Sequence, residues 1–527
     1  MRSYYAHLET GQQTDKKAIV PKPVFRASAI FPAINLPGIS SRVLFMGYWM
    51  LKRNIKEISA IISLRAQDGS LLSRSVESLI EPKSYRIELK DYLARCGLSS
   101  EISFFGTIEV EFFSTINLVF PFPAVVINYY GPAFSSVVHT AQRVYNDFDD
   151  MQNNSKTHVA ESGFNIYADD RTEPLINLIN GVEPVPDSKI QIDFYNSRKE
   201  VLQHTFELGN LDPYQIVPLF PARELKLKEF LKGEVGACKI DFNLKWIFPR
   251  LVVGNFSDSP PSFVITHSYY DCSKAQQDSD YWLQKQPAWH PASLMIPLSI
   301  EKNAFTSVYL YPIYSPAHFW LDVEIYDAQG HCLGKKAKAV EVFPDKQQFL
   351  PLPLKQICEE LRIPLNQNLA ARIISETEGG ERIPCRIKVA VDKGLDPHQL
   401  PCNICTNLQP FNPAWENKNK SFKWAPILAD QPHSPVWIMN SSPAVDYQKV
   451  EKIELTFFRE KDTATLVRQL VIPPHGFILI NPHQDPELQE FLQGEIGWFT
   501  AICTNPYTTT YYFAENPSGI VGGDHGF

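Results

Sequence analysis

Glycine is scarce in this chain, 25 residues in 527, and proline outnumbers it at 41. Loops stiffened by proline rather than loosened by glycine suit a fold of many short strands. Apolar segments of the ~18 residues that carry a helix across a bilayer are absent. The densest apolar stretch, residues 117–128, is broken by Pro121 and Pro123, so no membrane span is expected. Long runs of one charge are missing as well: 50 Lys and Arg against 58 Asp and Glu give a formal net charge of −8. That balance excludes a general binder of nucleic acid or of anionic membranes. Residues 1–17 hold Arg2, His7, Glu9, Asp15, Lys16 and Lys17 with no apolar run, so no secretory core is expected there. Nine cysteines, an odd number, are scattered along the chain rather than packed into a disulfide framework. Reduced thiols and a cytoplasmic location are the expectation.

Signatures of catalysis are also missing. The sequence has no HExxH, no GxSxG and no GxGxxG after a strand. Gly330-His-Cys-Leu-Gly-Lys-Lys336 resembles a phosphate-cradling loop, but it has one residue too few between the glycines and no Ser or Thr after Lys336. An enzyme is therefore the minority reading, and no cofactor is expected.

Aromatic and apolar residues are plentiful: 33 Phe, 22 Tyr and 9 Trp within a 44% hydrophobic share, enough for packed cores. A chain of 527 residues exceeds the ~250–300 at which one core stops growing, so several domains are expected. A single pattern recurs along it. Its first part is an alternating strand: Ile190, Ile192 and Phe194 in the second copy, Ile453, Leu455 and Phe457 in the fourth. Leu321, Val323 and Ile325 form the third copy, with Asp322, Glu324 and Tyr326 outward, and Ile58, Ala60, Ile62 and Leu64 form the first. Period-two alternation marks one buried face. Turns ending in Gly69 and Gly330 follow, as a hairpin needing positive φ requires. The second part is a short helical turn, and Glu229-Phe-Leu-Lys-Gly-Glu-Val-Gly236 nearly repeats as Glu490-Phe-Leu-Gln-Gly-Glu-Ile-Gly497. Asp485 as N-cap, Pro486 as first helical residue and Gly494 as stop frame one such turn. The third part is a terminal strand with histidine at its end, His139, His267 and His525 in copies one, two and four, and Cys405 at that place in copy three.

The fold class that results is mainly β: four tandem β-sandwich-like modules with short helical turns. A polar arm at residues 1–24 precedes modules at 25–150, 151–272, 273–406 and 407–527, the last two each with an incoming linker. The order of elements, clearest from Lys189 to Ser268 and ending in Ile265-Thr-His-Ser268, resembles the small β-sandwich of the sensory rhodopsin transducer family. That family is a homotetramer of one module, so the resemblance implies a four-module assembly with small-molecule or carbohydrate binding. It implies no catalytic residues.

Two sets of residues are candidates for function. His139, His267, Cys405 and His525 combine imidazole and thiolate, the usual zinc donors, and would meet only if the modules close into a ring; the alternative is that each bonds a neighbouring loop. Tyr269, Tyr270, Asp271, Trp282 and Trp289 place flat aromatic faces beside a carboxylate, the composition that stacks a sugar face; the alternative is that they pack a long connection. Cys402-Asn-Ile-Cys405 has half the spacing of a zinc knuckle and lacks a second pair. The function expected is a non-catalytic multi-module binding or scaffold protein that recognises a glycan, a small molecule or a protein partner through loop ends. Two rivals stay open: a metal-dependent enzyme of carbohydrate metabolism with its site between modules, zinc being its ion, and a structural assembly subunit.

Overall fold

Alternation in the sequence becomes burial in the structure: Ile190, Ile192 and Phe194, and equally Ile453, Leu455 and Phe457, are wholly shielded from solvent. The computed structural model describes residues 24–120, 122–145, 160–244, 246–248, 250–271, 282–284, 291–313, 315, 317–344, 346–378, 382–384, 387–415, 417–444 and 446–527. Among these the chain is mainly β, and no helix is long and apolar enough to cross a membrane.

In module 1 eight strands form two antiparallel sheets. They are β1 (Phe25–Asn35), β2 (Ser40–Met46), β3 (Ile58–Ala66), β4 (Leu71–Leu79), β5 (Ser84–Glu88), β6 (Phe104–Ser114), β7 (Val125–Gly131) and β8 (Phe134–His139). The sheet orders are β1-β6-β3-β4 and β5-β2-β7-β8. Phe45 of one sheet meets Phe112 of the other edge to face at 5.3 Å, so the two layers share a core. Modules 2, 3 and 4 repeat both orders strand for strand, with first strands Ala160–Ile166, Ser293–Leu298 and Ser421–Leu428. Their terminal strands are Pro261–His267, Cys402–Leu408 and Val521–His525. The terminal strand of module 3 therefore runs past the boundary expected at 406.

Short helices precede the sixth strand in every module: Leu89–Arg95, Leu227–Leu231, Leu354–Glu360 and Pro486–Leu492. The last is capped as its sequence requires. Asp485 accepts a hydrogen bond from the Leu488 N–H, Pro486 opens the helix, and Gln493 and Gly494 leave it with φ of 54° and 78°. The string from Gly330 to Lys336 is no phosphate loop. It forms the turn and opening of a hairpin strand, Cys332–Val342, paired with Phe319–Tyr326.

The modules are joined head to tail. In each joint the hairpin turn after a module's third strand lies on the start of the next module's fifth strand. Ile216 N–H donates to the Gln67 carbonyl (module 1 to 2), Phe477 N–H to Ala328 (3 to 4) and Ser84 N–H to Arg459 (4 back to 1), at 3.0, 3.3 and 3.2 Å. The joint from module 2 to 3 is apolar at the same place, with Tyr195 clustered against Phe349, Tyr309 and Tyr311. Beside it the buried Asp392 carboxylate accepts from Asn165 at 2.9 Å and from the Tyr167 hydroxyl. Four equivalent heterologous contacts whose rotation returns to the start make a closed ring. Module 4 also covers part of the outward face of the third copy: the buried Tyr326 ring stacks on His475 of module 4 at 5.0 Å. Asp322 is buried as well, its carboxylate held within its own module by the Lys338 N–H and the Lys335 ammonium.

The turn glycines are where the joints need them. Gly69 and Gly330 have φ of 87° and 81°, and a Cβ on either would collide with the backbone carbonyl of Pro213 or Pro474 in the next module. Gly494 has a similar φ of 78° but open space around it. Gly494→Ala is expected to cost only the left-handed strain, about 1 kcal/mol. Gly330→Ala adds the collision at a ring joint, for at least ~3 kcal/mol. Urea unfolding of the two variants side by side checks this.

Candidate functional site

Because the joints run head to tail, the four terminal strands turn inward and touch their neighbours in ring order: Phe134–His139 with Pro261–His267, then Cys402–Leu408, then Val521–His525, and back. The candidate donors sit at one register. His139 pairs across its sheet with Val126, His267 with Val252, Cys405 with Ala390 and His525 with Tyr511.

Three of the four converge. The His139 ring lies 5.0 Å from that of His267 and 4.3 Å from that of His525, centroid to centroid. One ring nitrogen from each lies within 4.8 Å of the other two. They open onto a cavity of about 210 Å³ lined from all four modules, including Arg250, Gln409, Lys423 and Thr510.

Each ring is oriented by an acceptor at Nδ1. His139 Nδ1 faces the Asp524 carboxylate at 2.7 Å, His267 Nδ1 the Ser268 carbonyl at 3.0 Å, and His525 Nδ1 the Gly526 carbonyl at 2.9 Å. A carbonyl or carboxylate only accepts, so in the neutral rings the proton is on Nδ1 and the lone pair on Nε2. Burial, and then the Arg250 guanidinium and His139, hold His267 well below the usual imidazole range. Burial and His139 lower His525 to about 4. Both rings are neutral at pH 7. Burial alone would raise the Asp524 carboxyl, but His139, by charge and by hydrogen bond, holds it well below the carboxylate range.

Asp524 was not among the residues expected from the sequence. Its Oδ2 also accepts from the His139 backbone N–H, and its Oδ1 from that of His525, both at 2.8 Å. One carboxylate thus fastens module 4 to module 1 at the axis. The only local signal was its place beside His525. In an alternating strand adjacent side chains point to opposite faces, so its partner is visible only once the ring is closed.

Cys405 has the expected register but does not join the three histidines. Its Sγ lies 3.1 Å from the Tyr311 hydroxyl in the joint between modules 2 and 3. Burial pushes the thiol up to about 12, away from the thiolate a metal needs. The spacing to Cys402 does not help. Three residues apart in an extended strand, the two point to opposite faces; Cys402 faces the module core and Cys405 the joint.

The aromatic set expected in loops lies on strands where it is described. Tyr269, Tyr270 and Asp271 pair by backbone with Ser162, Glu161 and Ala160, adding a fifth strand to one sheet of module 2 beyond the four that match module 1. Trp282 pairs with Pro384 in a two-stranded ribbon. Trp289 lies outside the described residues.

No family model matches the chain, and no curated protein does. A solved tetra-tandem repeat from the extending region of a large adhesion protein aligns over 95% of this chain and 98% of that one, at 8% identity and a TM-score of 0.09. A likeness at that level carries no argument.

The neutral histidines give the axis a pH dependence. His525 titrates near 6.5 when unfolded and about 4 when folded, so between those values the unfolded chain binds a proton that the folded chain refuses. Stability supplied by this group is complete above pH 6.5 and is lost as pH falls toward 4. Urea midpoints measured from pH 7 to 4 should fall for the wild type and fall less for His525→Gln.

Proposed function

We propose that the protein is a non-catalytic multi-module binding scaffold whose ligand is one small polar anion seated in the axial cavity. The observation that carries this reading is the shared lining: a single cavity takes side chains from all four modules, so ring closure and binding depend on each other. Arg250 and Lys423 supply positive charge there, and Gln409, Thr508 and Thr510 supply amide and hydroxyl groups. Guanidinium and ammonium groups in a partly desolvated site form charge-assisted hydrogen bonds to carboxylate or phosphate oxygens. At about 210 Å³ the cavity is smaller than the ~300–1,000 Å³ typical of drug-sized ligands. A single small molecule suits that size, and a glycan chain does not. A ring built by one chain from four modules is also what the sequence resemblance, clearest in the second module, to a family whose subunits assemble in fours would imply.

Calorimetric titration with small carboxylates, phosphates and neutral monosaccharides tests the reading. Binding of an anion is expected, weakened at least ~10-fold in Arg250→Gln and in Lys423→Met, the share of one charge-assisted hydrogen bond. Anion binding unchanged in both variants, or binding of neutral sugars alone, would overturn it.

A further inference from the structure

We propose that His139, His267 and His525 form a binding site for one divalent transition ion of the zinc class, coordinated through Nε2, with Asp524 as the residue that positions His139. This goes beyond the anion reading and does not depend on it. The arrangement carries the features by which a metal-binding histidine differs from a packed one. Three imidazoles come from three different modules to one point, with a nitrogen of each within 4.8 Å of the others. Around a tetrahedral zinc ion three such nitrogens stand about 3.4 Å apart, so the rings need to draw inward by under ~1 Å.

Orientation is already supplied. Every Nδ1 is directed at an oxygen acceptor, two backbone carbonyls and one carboxylate. That pattern fixes the tautomer with Nε2 basic and raises its donor strength, and it recurs around zinc-bound histidines. Without a metal, three imidazoles stand together in a buried site. Phe or Leu on the same strands would fill the axis without the desolvation of polar rings.

Charge and access decide what kind of site it is. Imidazoles bound through Nε2 bring no charge of their own, so the ion keeps its double positive charge, and Asp524 offsets part of it from beside His139. The three-histidine set leaves a fourth position, and the rings line the same cavity as Arg250 and Lys423. An anion at the fourth position would be held by the metal on one side and by guanidinium or ammonium on the other. Cys405 is not part of the set, because its Sγ is engaged by Tyr311.

The test uses the full chain, stripped with a chelator and checked for native circular dichroism. Zinc titration by calorimetry and cobalt(II) visible absorption are then recorded for wild type, His267→Gln, His525→Gln, Asp524→Asn, Cys405→Ser and His433→Ala. The expected result is one equivalent of zinc per chain with the cobalt spectrum of a four-coordinate site. His267→Gln and His525→Gln should lose it. Asp524→Asn should keep the spectrum and weaken affinity ~10- to 100-fold, the usual effect of removing a histidine's orienting partner. Cys405→Ser and His433→Ala, a histidine away from the axis, should bind as the wild type does. Less than ~0.2 equivalents of zinc in folded wild type, full binding by the two histidine variants, or loss of binding in Cys405→Ser would overturn the proposal. Anion binding by folded chain that takes up no zinc would remove the metal site and leave the anion reading standing; zinc binding by chain that binds no anion would do the reverse.

Discussion

The contact on which the molecule depends is the joint between one module's hairpin turn and the next module's fifth strand. It is a small interaction, one backbone hydrogen bond in three of the joints and an apolar cluster at the same place in the fourth, and it recurs around the ring. A heterologous contact used once leaves an open chain, and used four times with closure it leaves no free end. Module 4 meets module 1 through more than the joint. Arg42 reaches Asp430 at 2.5 Å, the Ser84 hydroxyl donates to Ile496, and the Ser518 hydroxyl donates to Ala133. Closure fixes the direction of every module, and the inward turn of the terminal strands follows from it.

A ring made from one chain differs from a ring of four identical subunits in a way the axis exploits. Identical subunits would place four identical residues at one register, and four equal imidazoles would crowd one another. Here the register holds three histidines and a cysteine. The position before it holds Val138, Thr266, Ile404 and Asp524, so a single buried carboxylate serves the cluster. Each module has been free to change its own residue while the hydrogen-bonded frame stayed the same. The asymmetry gives the axis one negative charge to orient one ring, and it leaves the third module's donor to bind Tyr311 in a joint.

Much of this was legible before any coordinates. Strand faces were readable because a half-buried strand repeats every two residues, and each alternating segment from Ile58, Ile190, Leu321 and Ile453 is buried as its pattern requires. The Pro486–Leu492 helix was readable from its cap, and the repeated module from its near-identical strings. The histidine register was readable too, including the cysteine in place of the third. Ring closure was not. It depends on turns meeting strands more than a hundred residues away, and nothing in a local pattern reports that distance. For the same reason Asp524 went unseen and Tyr326 was expected in solvent. The error over Cys405 had another source: its neighbour Tyr311 belongs to a different strand, and a donor's availability depends on who holds it.

The claim that carries the rest is closure, and the radius of gyration in solution tests it most directly. A chain of 527 residues folded into one closed body has a radius of gyration of about 24 Å by the usual scaling of compact domains. Small-angle scattering on the monomeric full chain is expected to give a value near that, with a bell-shaped distance distribution. A radius above ~30 Å with an elongated distribution, the signature of modules strung out along their linkers, would contradict the account.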